Sequence, residues 1–182
     1  MKHFLGISLK LGLICAVAAL FLGLVNAVTA PRIEKIREER LLKALADVAG
    51  GGRIGEYREV TDHQVVEGSY DLSLNGNKAY ILRLLGTGYG GDMLILASFD
   101  IRGKILASKL MENSETPGLG KEAEKPEYME IFQGRGDRED IPLRKNQLPS
   151  AAADGISGAT VTFSGIAAAL DAGSDFIKGG LK

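Results

Sequence analysis

The sequence predicts an α+β protein: one N-terminal transmembrane helix, then a single domain with a mostly antiparallel or mixed sheet and flanking helices. Three observations carry this. Residues 11–30 form a charge-free apolar run. Short segments of alternating apolar character, separated by glycine-containing turns, follow from residue 57 onward. An alanine-rich helical pattern closes the chain. A length of 182 residues suits one modest domain plus an appendage.

The run from Leu11 to Ala30 is rich in Leu, Val and Ala. At a helical rise of about 1.5 Å per residue it spans roughly 30 Å, the thickness of a bilayer core. Lys2, His3 and Lys10 precede it, and Pro31 and Arg32 close it. A cleaved signal peptide is the alternative, because Val28-Thr29-Ala30 offers small residues to a peptidase. The length of the run and Pro31 directly after the cut favour an anchor. Ile14, bulky where a lipoprotein signal needs a small residue, argues against lipidation of Cys15.

After the span, Pro31 to about Val48 reads as an amphipathic helix, with Ile33, Ile36, Leu41, Leu45 and Val48 among charged residues. Gly50-Gly51-Gly52 ends it. The expected organisation is a tail over 1–10, a membrane helix over 11–30, a connecting helix over 31–50 and the domain over 51–182. Strand candidates are Tyr57 to Val60, Gln64 to Glu67, Ala79 to Leu84, Met93 to Phe99 and Ile105 to Leu110, with tight turns at Asn75-Gly76 and Arg102-Gly103. Connections of a few residues favour antiparallel pairing. Glu112 to Lys145 is polar and glycine-bearing, a stretch that within a compact domain is functional or disordered; only Tyr128 to Phe132 in it reads as a short helix. A final helix is expected from about Val161 to Lys178.

Composition excludes several classes of function. Lys plus Arg is 22 against 23 for Asp plus Glu, a net charge of −1 that provides no footprint for nucleic acid. Two histidines and one cysteine leave no histidine-rich or cysteine-based metal site, and no metal is expected. The acidic residues Glu122, Glu124, Asp137 and Asp140 read as solvated loop charge.

The segment that carries chemistry is Asp154-Gly155-Ile156-Ser157-Gly158-Ala159-Thr160-Val161-Thr162. Small residues precede a helix whose first-turn amides are free to receive an anion. Gly158 and Ala159 allow close approach, and Ser157, Thr160 and Thr162 add hydroxyls. The plainer alternative is a helix cap formed by one of these hydroxyls, with Asp154 shaping the turn. A second segment, Glu115-Thr116-Pro117-Gly118-Leu119-Gly120, places Pro-Gly at the centre of a type II turn and exposes backbone amides at a loop tip. Gly86-Thr87-Gly88-Tyr89-Gly90-Gly91-Asp92 lacks the following helix of a dinucleotide fingerprint and reads as a bend in the sheet. Tyr89 there suits a ligand-stacking, core or rim position alike.

Residues 154–160 resemble the Asp-x-x-(Ser/Thr)-Gly-Ala-Thr flavinylation motif of the FMN-binding domain family, and residues 115–120 resemble a second signature of that family. Gly86 to Asp92 is similar to its glycine-tyrosine loop, and Val25 to Ile33 to the end of the membrane helix in the G subunits of Rnf ion-translocating electron-transport complexes. The C subunit of the sodium-pumping NADH:quinone reductase shares the flavin motif but is usually a longer chain.

The resemblance implies covalent FMN, attached as a phosphoester to Thr160 by a dedicated flavin transferase. It implies cofactor contacts from Ser157, Gly158, Ala159, Thr162 and Glu115 to Leu119 (Thr116, Pro117 and Gly118 included), and a recognition role for Asp154. It further implies electron transfer between ferredoxin and NAD coupled to ion translocation, with membrane, iron–sulfur and flavin subunits as partners. The expected location is the cytoplasmic membrane, with residues 1–10 inside and the domain on the outer face. The cations Arg32, Lys35, Arg37, Arg40 and Lys43 after the span point the other way by the positive-inside rule. A stand-alone membrane-tethered or secreted flavin reductase is the other function compatible with these motifs.

Overall fold

A computed structural model describes residues 2–113, 120–149 and 160–180. The first element, α1 (Lys2–Ala49), is one continuous helix of 48 residues. Its apolar side chains from Leu11 to Val28 are exposed on every face, as expected of a helix whose solvent is lipid. One segment of it is long and apolar enough to cross a membrane, with a mean hydropathy of 2.5. Pro31 lies inside the helix instead of ending it. Proline removes one backbone donor there, and just upstream Thr29 Oγ1 donates to the Val25 carbonyl at 2.8 Å. At about 1.5 Å per residue α1 is roughly 70 Å long, more than twice a bilayer core.

The chain divides into two compact units, residues 1–41 and 42–182. The second is built on a five-stranded antiparallel meander, β1 (Arg53–Glu59), β2 (Val66–Leu74), β3 (Asn77–Thr87), β4 (Asp92–Asp100) and β5 (Ile105–Glu112), in the order β1-β2-β3-β4-β5. Every neighbour pair is joined by a short turn. Asn75 (φ 51°) and Gly76 (φ 81°) both take the left-handed conformation required by a two-residue hairpin of type I′. The β4–β5 turn is held by Asp100, whose Oδ1 accepts the Arg102 and Lys104 amides at 2.8 and 2.9 Å, and Gly103 supplies the positive φ of 81°.

The second strand departs from the sequence-based expectation. Residues 64–65 are not strand: His63 Nδ1 accepts the amides of Val65 and Val66 at 3.2 and 3.0 Å, which folds the chain into a turn. Strand β2 begins at Val66 and continues to Leu74. Within it Tyr70, Leu72 and Leu74 alternate with Ser69, Asp71 and Ser73, the two-residue period of a strand, in a composition that reads superficially as loop.

One face of the sheet is covered by α3 (Thr160–Lys178) and by two short turns of helix, α2 (Pro126–Met129) and a 3₁₀ turn at Glu130–Phe132. Leu82, Leu84, Met93, Ile95, Phe99 and Ile105 from the strands meet Phe132 and, on α3, Phe163, Ile166, Ala167 and Leu170. The rings of Phe132 and Phe163 stack at 5.3 Å. The opposite face carries Leu72, Ile81 and Leu96, all buried, and the last turns of α1 lie on this side. Ala44, Leu45, Val48 and Ala49 are buried there, and Asp47 pairs with Lys109 of β5.

The carboxyl end of α3 is fixed by a buried hydroxyl. Ser174 Oγ lies 2.8 Å from the Gly103 carbonyl and 3.1 Å from that of Gly136, tying the helix to two loops. One turn earlier, partial burial and the neighbouring Asp175 carboxylate push the Asp171 carboxyl above the usual range. A raised carboxyl pKa means the folded chain holds the proton more tightly than the unfolded chain. Stability is therefore unpenalised below the ordinary carboxylate range and falls as pH rises through the shifted pKa. Asp171→Asn should raise Tm at pH 7 by on the order of 1 °C, since the group is largely solvated. The gain should vanish in thermal melts below pH 3, and a gain that persisted there would contradict the assignment.

Candidate functional site

The site is defined by how α3 begins and where that beginning is placed. Its first residue is Thr160. The first-turn amides of a helix have no intrahelical acceptor and carry the positive end of the dipole, so this position favours an anion. Thr160 is exposed to solvent, whereas Thr162, two residues on and on roughly the opposite side of the helix, is buried beside Phe163. Of the two threonines, only Thr160 presents its side chain to solvent.

Backbone packing fixes the direction of α3 across the sheet. Near its start, Gly165 lies against the end of β3, so close that an added methyl would sit 2.0 Å from the Thr87 carbonyl oxygen. From the other side, a methyl on Gly86 would meet the Gly165 carbonyl at 3.2 Å. Two turns later Gly173 rests on Leu84 and Phe99, where a methyl would make contacts of 3.0 Å. The glycines at 86, 165 and 173 let helix and sheet approach more closely than side chains would permit. As a result, the amino end of α3 lies at the β3–β4 end of the sheet, and its carboxyl end lies at the β4–β5 turn.

The β3–β4 connection is thus beside the start of α3. Residues 86–87 and 92 are paired strand, and residues 88–91 form a hairpin tip in place of the expected bend within the sheet, closed by the Gly88 amide donating to the Gly91 carbonyl at 2.8 Å. Tyr89 projects from this tip and is 81% exposed, which excludes the core position. The acidic loop residues are solvated or paired: Glu122 with Lys125, Glu124 accepting from Asn113 Nδ2 at 2.8 Å, and Asp137 with Arg102 at 3.2 Å. Among the described residues no group of three His, Cys, Asp or Glu side chains could hold a metal.

Of the residues singled out from the sequence, Thr160 and Thr162 fall within the described structure. Asp154, Ser157, Gly158 and Ala159, and the segment Glu115, Thr116, Pro117, Gly118 and Leu119, lie outside the described residues. Sequence reasoning missed Gly165. Its signal was present: a glycine inside an otherwise helical pattern costs about 1 kcal/mol relative to alanine and commonly has a packing reason.

Comparison with known proteins agrees with this geometry. The FMN-binding domain model matches residues 88–174, a stretch that opens on the hairpin tip and contains all but the last turn of α3. The G subunit of an ion-translocating oxidoreductase complex from Cereibacter sphaeroides is 31% identical over 165 residues, covering 85% of this chain and 75% of that protein. The chain belongs to the family of G subunits of ion-translocating oxidoreductase complexes. Another member, the G subunit of a proton-translocating ferredoxin:NAD(+) oxidoreductase complex from Clostridium ljungdahlii, is 29% identical over 48% of each chain. Among solved structures, the C subunit of the Na(+)-translocating NADH-quinone reductase from Parabacteroides distasonis is similar with a TM-score of 0.50 and 28% identity, over 61% of each chain.

The residues present suit the flavin nucleotide that the family model implies. An exposed hydroxyl on the first residue of a 19-residue helix fits a phosphate, and the exposed aromatic at the same end of the domain suits a planar ring. This arrangement depends on the contact at Gly165. Gly165→Ala should lower stability by about 1–3 kcal/mol despite the better helix propensity of alanine, because the methyl must push α3 off Thr87. Denaturant titration checks this, and an unchanged midpoint would contradict the close approach.

Proposed function

We propose that this G subunit carries FMN joined through its phosphate to the Thr160 hydroxyl. In this role it is the electron-carrying member of a membrane complex coupling ferredoxin:NAD electron transfer to ion translocation. The supporting observation is that α3 starts at Thr160 with the side chain exposed, inside the segment matched by the FMN-binding domain. The named complexes of its relatives supply the reaction.

When bound, FMN supplies the capacity to exchange electrons singly or in pairs, which lets it join centres of different chemistry. The chain's own residues hold and orient it. Thr160 provides the oxygen of the ester, and the first-turn amides of α3 offset the phosphate charge. Ser157, Gly158, Ala159 and Thr162 shape the surroundings of the phosphate, and Glu115 to Leu119 line the flavin. Asp154 serves recognition by the flavin transferase that matures the protein. Covalent attachment prevents loss of the cofactor.

Residues 11–30 cross the cytoplasmic membrane in this proposal, with residues 1–10 inside and the domain from residue 51 on the outer face. There it meets membrane, iron–sulfur and flavin subunits of the complex. The outer placement rests on the family resemblance, against the five cations that follow the span. The likeness to the quinone reductase chain supports a second reading, as the C subunit of such an enzyme, but the curated relatives favour the G subunit.

Flavin fluorescence in denaturing gels tests both attachment and placement. Protein co-expressed with the transferase should give a fluorescent band, and Thr160→Ala should abolish it completely. Retained fluorescence would move the site to Thr162 or Ser157. Protease added to intact spheroplasts should remove the band, whereas protection until lysis would put the domain inside.

A further inference from the structure

We propose that residues 32–40 of α1 lie on anionic phospholipid headgroups through a face of arginine and isoleucine. This depends on the reading that residues 11–30 cross a membrane, and it holds for either orientation of that span. In the turns that follow Ala30 the helix sorts its side chains by charge. At roughly 100° per residue, Arg32, Ile36 and Arg40 form one row, and Ile33 and Arg37 form the row beside it. Glu34 and Glu38 fall on the opposite side, and Glu39 stands at the border, four residues from Lys35. The face itself thus carries three arginines and no carboxylate. All of its residues are exposed, Ile33 by 49% and Ile36 by 42%.

Continuity and chemical complementarity name lipid as the occupant. The helix runs unbroken from Lys2 to Ala49, so this face begins where the lipid-suited run ends. Along the helix axis Arg32 lies about 3 Å and Arg40 about 15 Å beyond Ala30. A headgroup layer is roughly 5–7 Å deep, and a membrane span commonly tilts by about 20°. Tilt towards this face lowers its rows onto the surface, and the long stems of arginine carry their charge back to the phosphates. Water suits the arginines but not the isoleucines between them, whereas the boundary of headgroups and acyl chains suits both. A guanidinium pairs with phosphate oxygens through two hydrogen bonds at once, and an anionic headgroup adds net attraction. The cations after the span thereby acquire a role at the surface that does not depend on which side they face.

The test uses the full-length chain with Cys15→Ala, carrying a polarity-sensitive fluorophore at either Ile36→Cys or Glu38→Cys. Each protein is reconstituted into vesicles of phosphatidylcholine alone or with about a third phosphatidylglycerol, and its resistance to carbonate extraction is checked first. The label at position 36 should be roughly twofold or more brighter in the anionic vesicles, while the label at position 38 changes little. Salt at about 0.5 M should abolish that difference, because it screens the headgroup charge. Arg32→Gln combined with Arg40→Gln should abolish it as well. If that doubly substituted protein fails to insert, the salt titration of its parent decides. Emission at position 36 that ignores vesicle charge would overturn the proposal and leave the face to an acidic protein surface. Equal brightening at positions 36 and 38 would overturn it too, since no face would then be selected. Extraction of the unsubstituted chain by carbonate would overturn the membrane span itself, which separates the two failures.

Discussion

The contact of Gly165 with the Thr87 carbonyl is the constraint on which the site depends. A side chain at Gly165 would lift the final helix from the sheet, and one at Gly86 would press on the Gly165 carbonyl from the other side. With glycine at both positions, the helix descends onto the β3–β4 end and its first residue is set beside a hairpin tip. Gly173 and the Ser174 hydroxyl then fix the far end of the same helix to Leu84, Phe99 and two loop carbonyls. The helix is pinned at both ends, and Thr160 inherits a defined place from packing that it takes no part in. Burial of Thr162 and Phe163 completes this by fixing the rotation of the first turn. That rotation leaves Thr160 facing solvent.

Much of the fold is legible in the sequence because its signals are local. The type I′ turn at Asn75-Gly76, the turn at Gly103, the uncharged run from Leu11 to Ala30 and the helical pattern after Val161 each follow from residue chemistry over a few positions. Strand β2 is misplaced by sequence reasoning because its polar face, Ser69, Asp71 and Ser73, disguises a regular alternation. His63 meanwhile turns an apolar stretch into a bend by accepting two amides. Pro31 reads as a stop, yet a helix accommodates an isolated proline at the loss of one hydrogen bond and some bending. The candidate site divides in the same way. Thr160 is readable from its motif, whereas the role of Gly165 depends on a contact between residues nearly eighty positions apart.

The same geometry relates the chemistry to the family. Relatives in this family are named as subunits of complexes that translocate ions. What the chain offers is an exposed threonine at the start of a helix packed on the sheet, and an apolar helix suited to lipid. Those features suit a membrane-anchored flavoprotein subunit of such a complex.

The central claim, that Thr160 is the attachment point, is most directly tested by peptide mass spectrometry. Trypsin should release residues 146–178 as a single fragment, since no Lys or Arg lies between Lys145 and Lys178. From protein matured with the transferase, this fragment should be heavier by the mass of FMN less one water. Fragmentation should place the added mass on Thr160, with Ser157, Thr162 and Ser164 unmodified. An unmodified fragment, or a flavin located on any of those other hydroxyls, would contradict the account.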